Sequence, residues 1–167
     1  MARLENLLGV QALALADRMA AGSQPSESAA LVTLLAHPDH GVGWLSDVLG
    51  LTDSGATRLV DRLVDEGLLR RQPGIDGRTR TLRLTAAGTR RAHRILAARQ
   101  RELEHVLAPL SSAERRTFEQ LLDKVVAGLA DDRTAGLRTC RLCDRDACRA
   151  GEAACPLQHT VPGGGVT

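Results

Sequence analysis

The apolar positions of this chain follow a helical period almost throughout. Leu4, Leu7, Leu8, Leu15 and Met19 keep that spacing and stop at Ala21-Gly22, which predicts a first helix. Pro25 to Ala36 predicts a second, closed by His37-Pro38, and Trp44 to Leu49 a short apolar third, ended by Gly50. Thr52 then offers an N-cap to a fourth helix, with Asp53 in the first turn where the helix dipole favours an acid. Leu59, Val60, Leu63 and Val64 supply its inner face, and Gly67 its stop.

After Gly67 the period changes. Leu68 to Arg71 and Arg80 to Leu84 read as two short strands around the turn segment Q-P-G-I-D-G-R-T, so a β-hairpin is predicted. Thr85 caps a long helix that runs to about Ala108. Ser111-Ser112-Ala113-Glu114 is a capping-box pattern, followed by an apolar stripe of Phe118, Leu121, Leu122, Val125, Val126 and Leu129. Beyond Ala130 the pattern stops, and the P-G-G-G end reads as disordered. There is no internal repeat.

The 167 residues suit about one domain. Aromatics are 1% of the chain, Trp44 and Phe118, so the core must be Leu, Val and Ala, which favours helices. The expected fold class is mainly α with a small β-hairpin wing. Net charge is only +2, but Arg58 to Arg94 holds ten arginines against four acids. Lys124 is the sole lysine, and arginine forks onto phosphate and guanine where lysine is a point charge. No apolar run approaches the ~20 residues of a membrane helix, and the N-terminus lacks a secretory pattern, so a cytoplasmic protein is expected. No nucleophile elbow, phosphate loop or dinucleotide fingerprint is found, and no enzyme is predicted.

Two helices joined by Gly50-Leu51-Thr52, then a hairpin, make a winged helix-turn-helix. Such a fold lays its second helix in the major groove of double-stranded DNA with the N-terminal residues at base edges. Here those are Thr52, Ser54, Gly55, Thr57 and Arg58, with Arg62 one turn on. Arg78 at the hairpin tip can reach a minor groove, while Arg70, Arg71, Arg80 and Arg83 can meet phosphates. RNA or single strands fit less well, because stacking aromatics are missing.

The run L-S-D-V-L-G-L-T-D-S-G-A-T-R-L-V-D-R-L-V-D-E-G-L-L-R-R, followed by D-G-R-T-R-T-L-R-L-T-A-A-G, resembles the MarR family of bacterial regulators. The D-x-R of Asp76 and Arg78 and the L-T-x-x-G of Leu84, Thr85 and Gly88 carry the resemblance. It implies a homodimer that sets two recognition helices on a palindromic operator, with Arg78 in the minor groove braced by Asp76. It also implies a small-molecule effector site between the DNA-binding domain and the dimer helices, although few aromatics are present to line one. The expected organisation is a dimerisation helix at 1–24, the winged helix-turn-helix at 25–88, further dimerisation helices at 89–130 and a cysteine-rich metal-binding tail at 131–167.

All four cysteines lie in that tail as C-x2-C-x4-C-x6-C-P: Cys140, Cys143, Cys148 and Cys155. Four sulfurs at such spacing can close on one metal centre. The widening gaps and the terminal Cys155-Pro156 favour an iron–sulfur cluster, with Arg141, Arg145 and Arg149 offsetting its charge and N–H groups near Gly151 and Ala153 donating to sulfide. Structural zinc is the alternative, since C-x2-C is a common half-site. A thiol/disulfide switch is a second alternative, which a reducing cytosol disfavours. A cluster here is expected to act through the dimer helices on the spacing of the recognition helices. His37-Pro38-Asp39-His40 could also hold a metal, but reads better as a polar loop. His93 and His105 read as surface or dimer-contact side chains.

Overall fold

Threonine or serine side chains cap three of the helix starts. The computed structural model of the chain describes residues 2–20, 24–74, 77–148 and 154–161. The first four helices are α1 (Ala2–Ala20), α2 (Pro25–Ala36), α3 (Val42–Leu49) and α4 (Asp53–Asp65). Strands β1 (Leu69–Pro73) and β2 (Arg80–Leu84) follow, then α5 (Ala86–Leu107) and α6 (Ser112–Ala127). The strands pair antiparallel with Leu69 opposite Leu84 and Pro73 opposite Arg80, so the sheet is the expected hairpin.

α2, α3, α4, the hairpin and the first half of α5 close around one aliphatic core. Leu31, Leu34, Leu45, Leu63 and Leu82 are each at most 1% exposed, with Val60 and Ala92 beside them. Burying each leucine contributes roughly 1.5–3 kcal/mol. The hairpin runs into α5 through Thr85, whose Oγ1 accepts from the Gly88 N–H at 3.1 Å and donates to the Gly67 carbonyl at 2.7 Å. A Cβ at Gly88 would sit 2.0 Å from the Leu68 carbonyl oxygen, so only glycine allows α5 to start this close to the sheet.

The flanking helices are different. Leu4, Leu8, Val10 and Leu13 of α1 are all more than half exposed, and α1 reaches α5 through an Arg18–Glu102 ion pair at 3.6 Å. α6 begins with the full capping box: the Ser111 N–H donates to Glu114 Oε2 at 2.8 Å and Ser111 Oγ accepts from the Glu114 N–H at 3.4 Å. The Ser111 hydroxyl and backbone hold the Glu114 carboxyl below the usual carboxylate range. No residue of α6 is buried in the single chain, and Leu121, Val125 and Leu129 are at least half exposed.

The tail folds where the periodicity ended. Asp132 Oδ1 accepts from the Ala135 N–H at 2.9 Å and caps α7 (Arg133–Thr139); α8 (Arg145–Cys148) and a 3-10 turn at Gln158–Thr160 follow. The turn doubles back onto α7. Ala130, Leu137, Leu157 and Thr160 are buried together with Gly136, whose place a Cβ would bring within 2.6 Å of Thr160 Oγ1. His159 Nε2 donates to the Ala130 carbonyl at 2.9 Å. This small lobe buries apolar side chains even though the helical pattern stops at Ala130. It also lies against the body formed by α2 to α5. Arg138 Nε donates to the Asp47 carbonyl at the end of α3 (2.6 Å), and Thr33 Oγ1 on α2 donates to the Arg141 carbonyl (3.2 Å). The proposed P-G-G-G disorder falls on residues outside the described ones, as do Arg149, Gly151 and Ala153.

Candidate nucleic-acid interface and cysteine centre

α4 separates its two faces cleanly. Ala56, Leu59, Val60 and Leu63 are buried, and Ser54, Thr57, Arg58 and Arg62 are exposed on the other side. Thr52 Oγ1 accepts from the Gly55 N–H at 3.1 Å, a cap worth about 1 kcal/mol. Gly55 itself is half-buried beside Thr52. Ser46 Oγ on α3 donates to Asp53 Oδ1 at 2.9 Å, which fixes the turn between α3 and α4. Arg62 faces Glu66 at 3.9 Å, a loose pair at the far end.

Arg70, Arg78 and Arg80 are exposed on the hairpin, and Gly77 takes a left-handed turn at its tip (φ 66°). Asp76 lies outside the described residues. Two of the predicted phosphate contacts carry a second duty. Arg71 Nη2 pairs with Asp61 Oδ1 of α4 at 2.6 Å, tying the wing to the recognition helix. Arg83 Nε donates to Asp39 Oδ1 at 2.9 Å and a second Arg83 nitrogen pairs with the same carboxylate. Asp39 also accepts from Gln72 Nε2 at 2.6 Å, and the Arg83 hydrogen bond holds its carboxyl below the usual range.

The loop around His40 therefore serves the wing. The Asp39 N–H donates to the Leu82 carbonyl and the Leu82 N–H to the His40 carbonyl, adding a bridge to the edge of β2. The His40 ring stacks on Trp44 at 3.9 Å between centroids, and His37 meets Trp44 edge-on. His93 and His105 are exposed on α5.

The four cysteines come to one place. They line a cavity of about 370 Å³ together with Arg133 and Arg145, and none is in a disulfide. The thiols lie close enough to act on one another: Cys143 neighbours Cys140 and Cys148, Cys148 neighbours Cys155, and Cys140 also feels Cys148 and Cys155. The hydrogen bond from Cys143 holds the Cys140 thiol below its ordinary value, and the same bond holds Cys143 above it. Burial, with the neighbouring Cys143, pushes Cys148 up to about 11. Among the described residues no three His, Cys, Asp or Glu side chains converge on a point that could hold one ion. A second cavity, of about 320 Å³, lies between α2, α5 and the lobe; Val32, His93, Leu96 and Gln100 face Cys143 and Arg145 across it.

The sequence profile of the MarR family matches residues 21–78. A MarR family protein from Bacillus stearothermophilus is 34% identical, over 74% of this chain and 91% of that one, with a TM-score of 0.68. The chain belongs to the MarR family. The PcaV transcriptional regulator from Streptomyces coelicolor is 28% identical, over 76% of this chain and 95% of that one, with a TM-score of 0.55. MepR, a transcription regulator of the Staphylococcus aureus multidrug efflux pump MepA, shares the fold at 16% identity, over 75% of this chain and 98% of that one, with a TM-score of 0.66. No curated protein sequence matches.

Each likeness leaves about a quarter of this MarR-family chain unmatched. Several positioning residues escape sequence reasoning: Asp39 and Asp61 as braces of the wing, Thr33 and Arg138 as anchors of the lobe. Their partners lie 10 to 108 residues away, and no local motif marks them. Asp132, directly before α7, did carry a readable cap signal. No helix among the described residues is long and apolar enough to cross a membrane.

Proposed function

We propose that this chain is a sequence-specific DNA-binding transcriptional regulator, a homodimer that sets two α4 helices on a palindromic operator in the cytoplasm. We further propose that Cys140, Cys143, Cys148 and Cys155 hold an iron–sulfur cluster that modulates this binding. The observation that carries the DNA reading is the polar, exposed face of α4 beside an arginine-bearing wing, on a body whose own core is complete. Thr52, Ser54, Thr57 and Arg58 are exposed and would meet base edges, and Arg70, Arg78 and Arg80, exposed on the wing, would meet the backbone and minor groove. The apolar faces of α1 and α6 support a second copy as partner, because they are exposed among the described residues.

For the cluster, the support is the donor set. Four unpaired thiols share one cavity with two arginines that can offset the charge of a thiolate-bound cluster. The widening cysteine spacing and the terminal Cys155-Pro156 favour the cluster over a single zinc. The bound cluster would supply a state that changes with oxidant or iron supply. Structural zinc with an organic effector is the second reading, favoured by the adjacent Cys140–Cys143 pair and by the cavity between α2 and α5.

Quantitative gel shift over a salt series, on a duplex operator selected from random sequence, tests the DNA reading. Arg78→Ala is expected to weaken binding by about 1–3 kcal/mol, and wild-type affinity to fall steeply with salt. Unchanged affinity in the variant would remove Arg78 from the interface, and salt-independent binding would remove the DNA reading itself.

A further inference from the structure

We infer that Arg138 is the coupling residue through which the cysteine lobe acts on the recognition helix, so that the state of the four-cysteine centre is felt within one subunit at the α3–α4 turn. The inference rests on the proposed metal centre and goes beyond it in naming the route.

The route is short and continuous. Cys140 is the C-cap of α7, two residues from Arg138. Arg138 reaches the Asp47 carbonyl at 2.6 Å. That carbonyl belongs to the last turn of α3, where unsatisfied acceptors and the helix dipole both favour a cation. The same oxygen accepts from the Gly50 N–H, which begins the left-handed turn into α4. On the far side of that turn Ser46 holds Asp53 in the first turn of α4. A displacement of α7 therefore bears directly on the turn that aims Thr52, Ser54 and Thr57.

The lobe can be moved by its centre because its own core is thin. Leu137, Leu157 and Ala130 are its buried apolar side chains among the described residues. Cys155 enters on the returning strand of chain, next to the turn that lays Thr160 against Gly136. Ligation of Cys155 with Cys140 would join the two sides of this fold-back, and its loss would leave them held by few contacts. Thr33 provides a second joint, from buried α2 to the Arg141 carbonyl between Cys140 and Cys143. The joints bear on α2 and α3, and none of them touches α1 or α6, so the route differs from one through the dimer helices.

The test compares operator affinity of full-length protein in two states: reconstituted anaerobically with iron and sulfide, and stripped with chelator. A parallel arm uses Zn²⁺ in place of iron and sulfide. Wild type is expected to show about a tenfold or larger ratio between the reconstituted and stripped states. Arg138→Ala is expected to keep full metal content, dimerisation and the stripped-state affinity, while its ratio falls to within about twofold of one. Arg138→Lys, which retains a donor, is expected to recover part of the ratio. A wild-type ratio retained in Arg138→Ala would overturn the coupling route and leave the metal centre standing. A wild-type ratio near one in both arms would overturn the sensory reading beneath it. Should Arg138→Ala fail to hold metal, Thr33→Val decides: a reduced ratio supports docking of the lobe as the route, and an unchanged one refutes it.

Discussion

The winged-helix body and the cysteine lobe are both small α-rich folds, yet they are held in different ways. The body buries Leu31, Leu34, Leu45, Leu63 and Leu82 almost completely and braces its hairpin with Arg71–Asp61 and Arg83–Asp39. The lobe buries Ala130, Leu137 and Leu157, and gathers four thiols around a cavity. Many fully buried aliphatic side chains hold the first, whereas the second has few. On the proposed function, the region that holds a rigid face to DNA is built from packing, and the region that would respond to its surroundings is built near the threshold of stability.

That contrast can be broken at its strong end first. Leu45→Ala should destabilise the body by about 2–5 kcal/mol, because the site is closed on all sides and a cavity would remain. Leu157→Ala, in metal-free protein, should leave the main unfolding transition in place and increase only proteolysis of the lobe. Urea melts and limited trypsin digestion read the two outcomes. Comparable losses of global stability would mean that lobe and body form one cooperative unit.

The outer helices are expected to matter for binding and not for folding. Leu121→Glu with Val125→Glu places two charges on the exposed stripe of α6 without touching the body. The double variant should remain folded, run as a monomer by light scattering, and lose the roughly 10²- to 10⁴-fold gain of bivalent binding to a two-half-site operator. A variant that stays dimeric would exclude this stripe from the interface.

The same contrast explains what could be read from the chain beforehand. The caps at Thr52, Thr85 and Ser111 were legible because a cap is a local hydrogen bond written in three or four residues, and Pro25 to Ala36 because Pro opens the helix and His37-Pro38 closes it. The hairpin was legible from its change of period and its Pro and Gly residues. α7 was not, because seven residues of R-T-A-G-L-R-T hold too few apolar positions to show a period. Nor was the docking of the lobe, since Arg138 and Asp47 lie 91 residues apart and the acceptor is a backbone carbonyl that any residue would provide. The cysteine spacing showed that four thiols could gather but not that the lobe would dock beside α3, and reading residues 37–40 as a polar loop left the partners of Asp39, Arg83 and Gln72, unnamed.

The central claim is that the DNA grip of the body answers to the centre in the lobe. The most direct measurement is operator affinity of anaerobically purified protein, taken with its visible spectrum and its iron, sulfide and zinc content, before and after exposure to oxidant. The account predicts a brown protein with iron and sulfide bound, and about a tenfold change in affinity on cluster loss, equivalent to about 1.4 kcal/mol of coupling. A colourless protein carrying one zinc per chain, with the same operator affinity before and after oxidant, would contradict it.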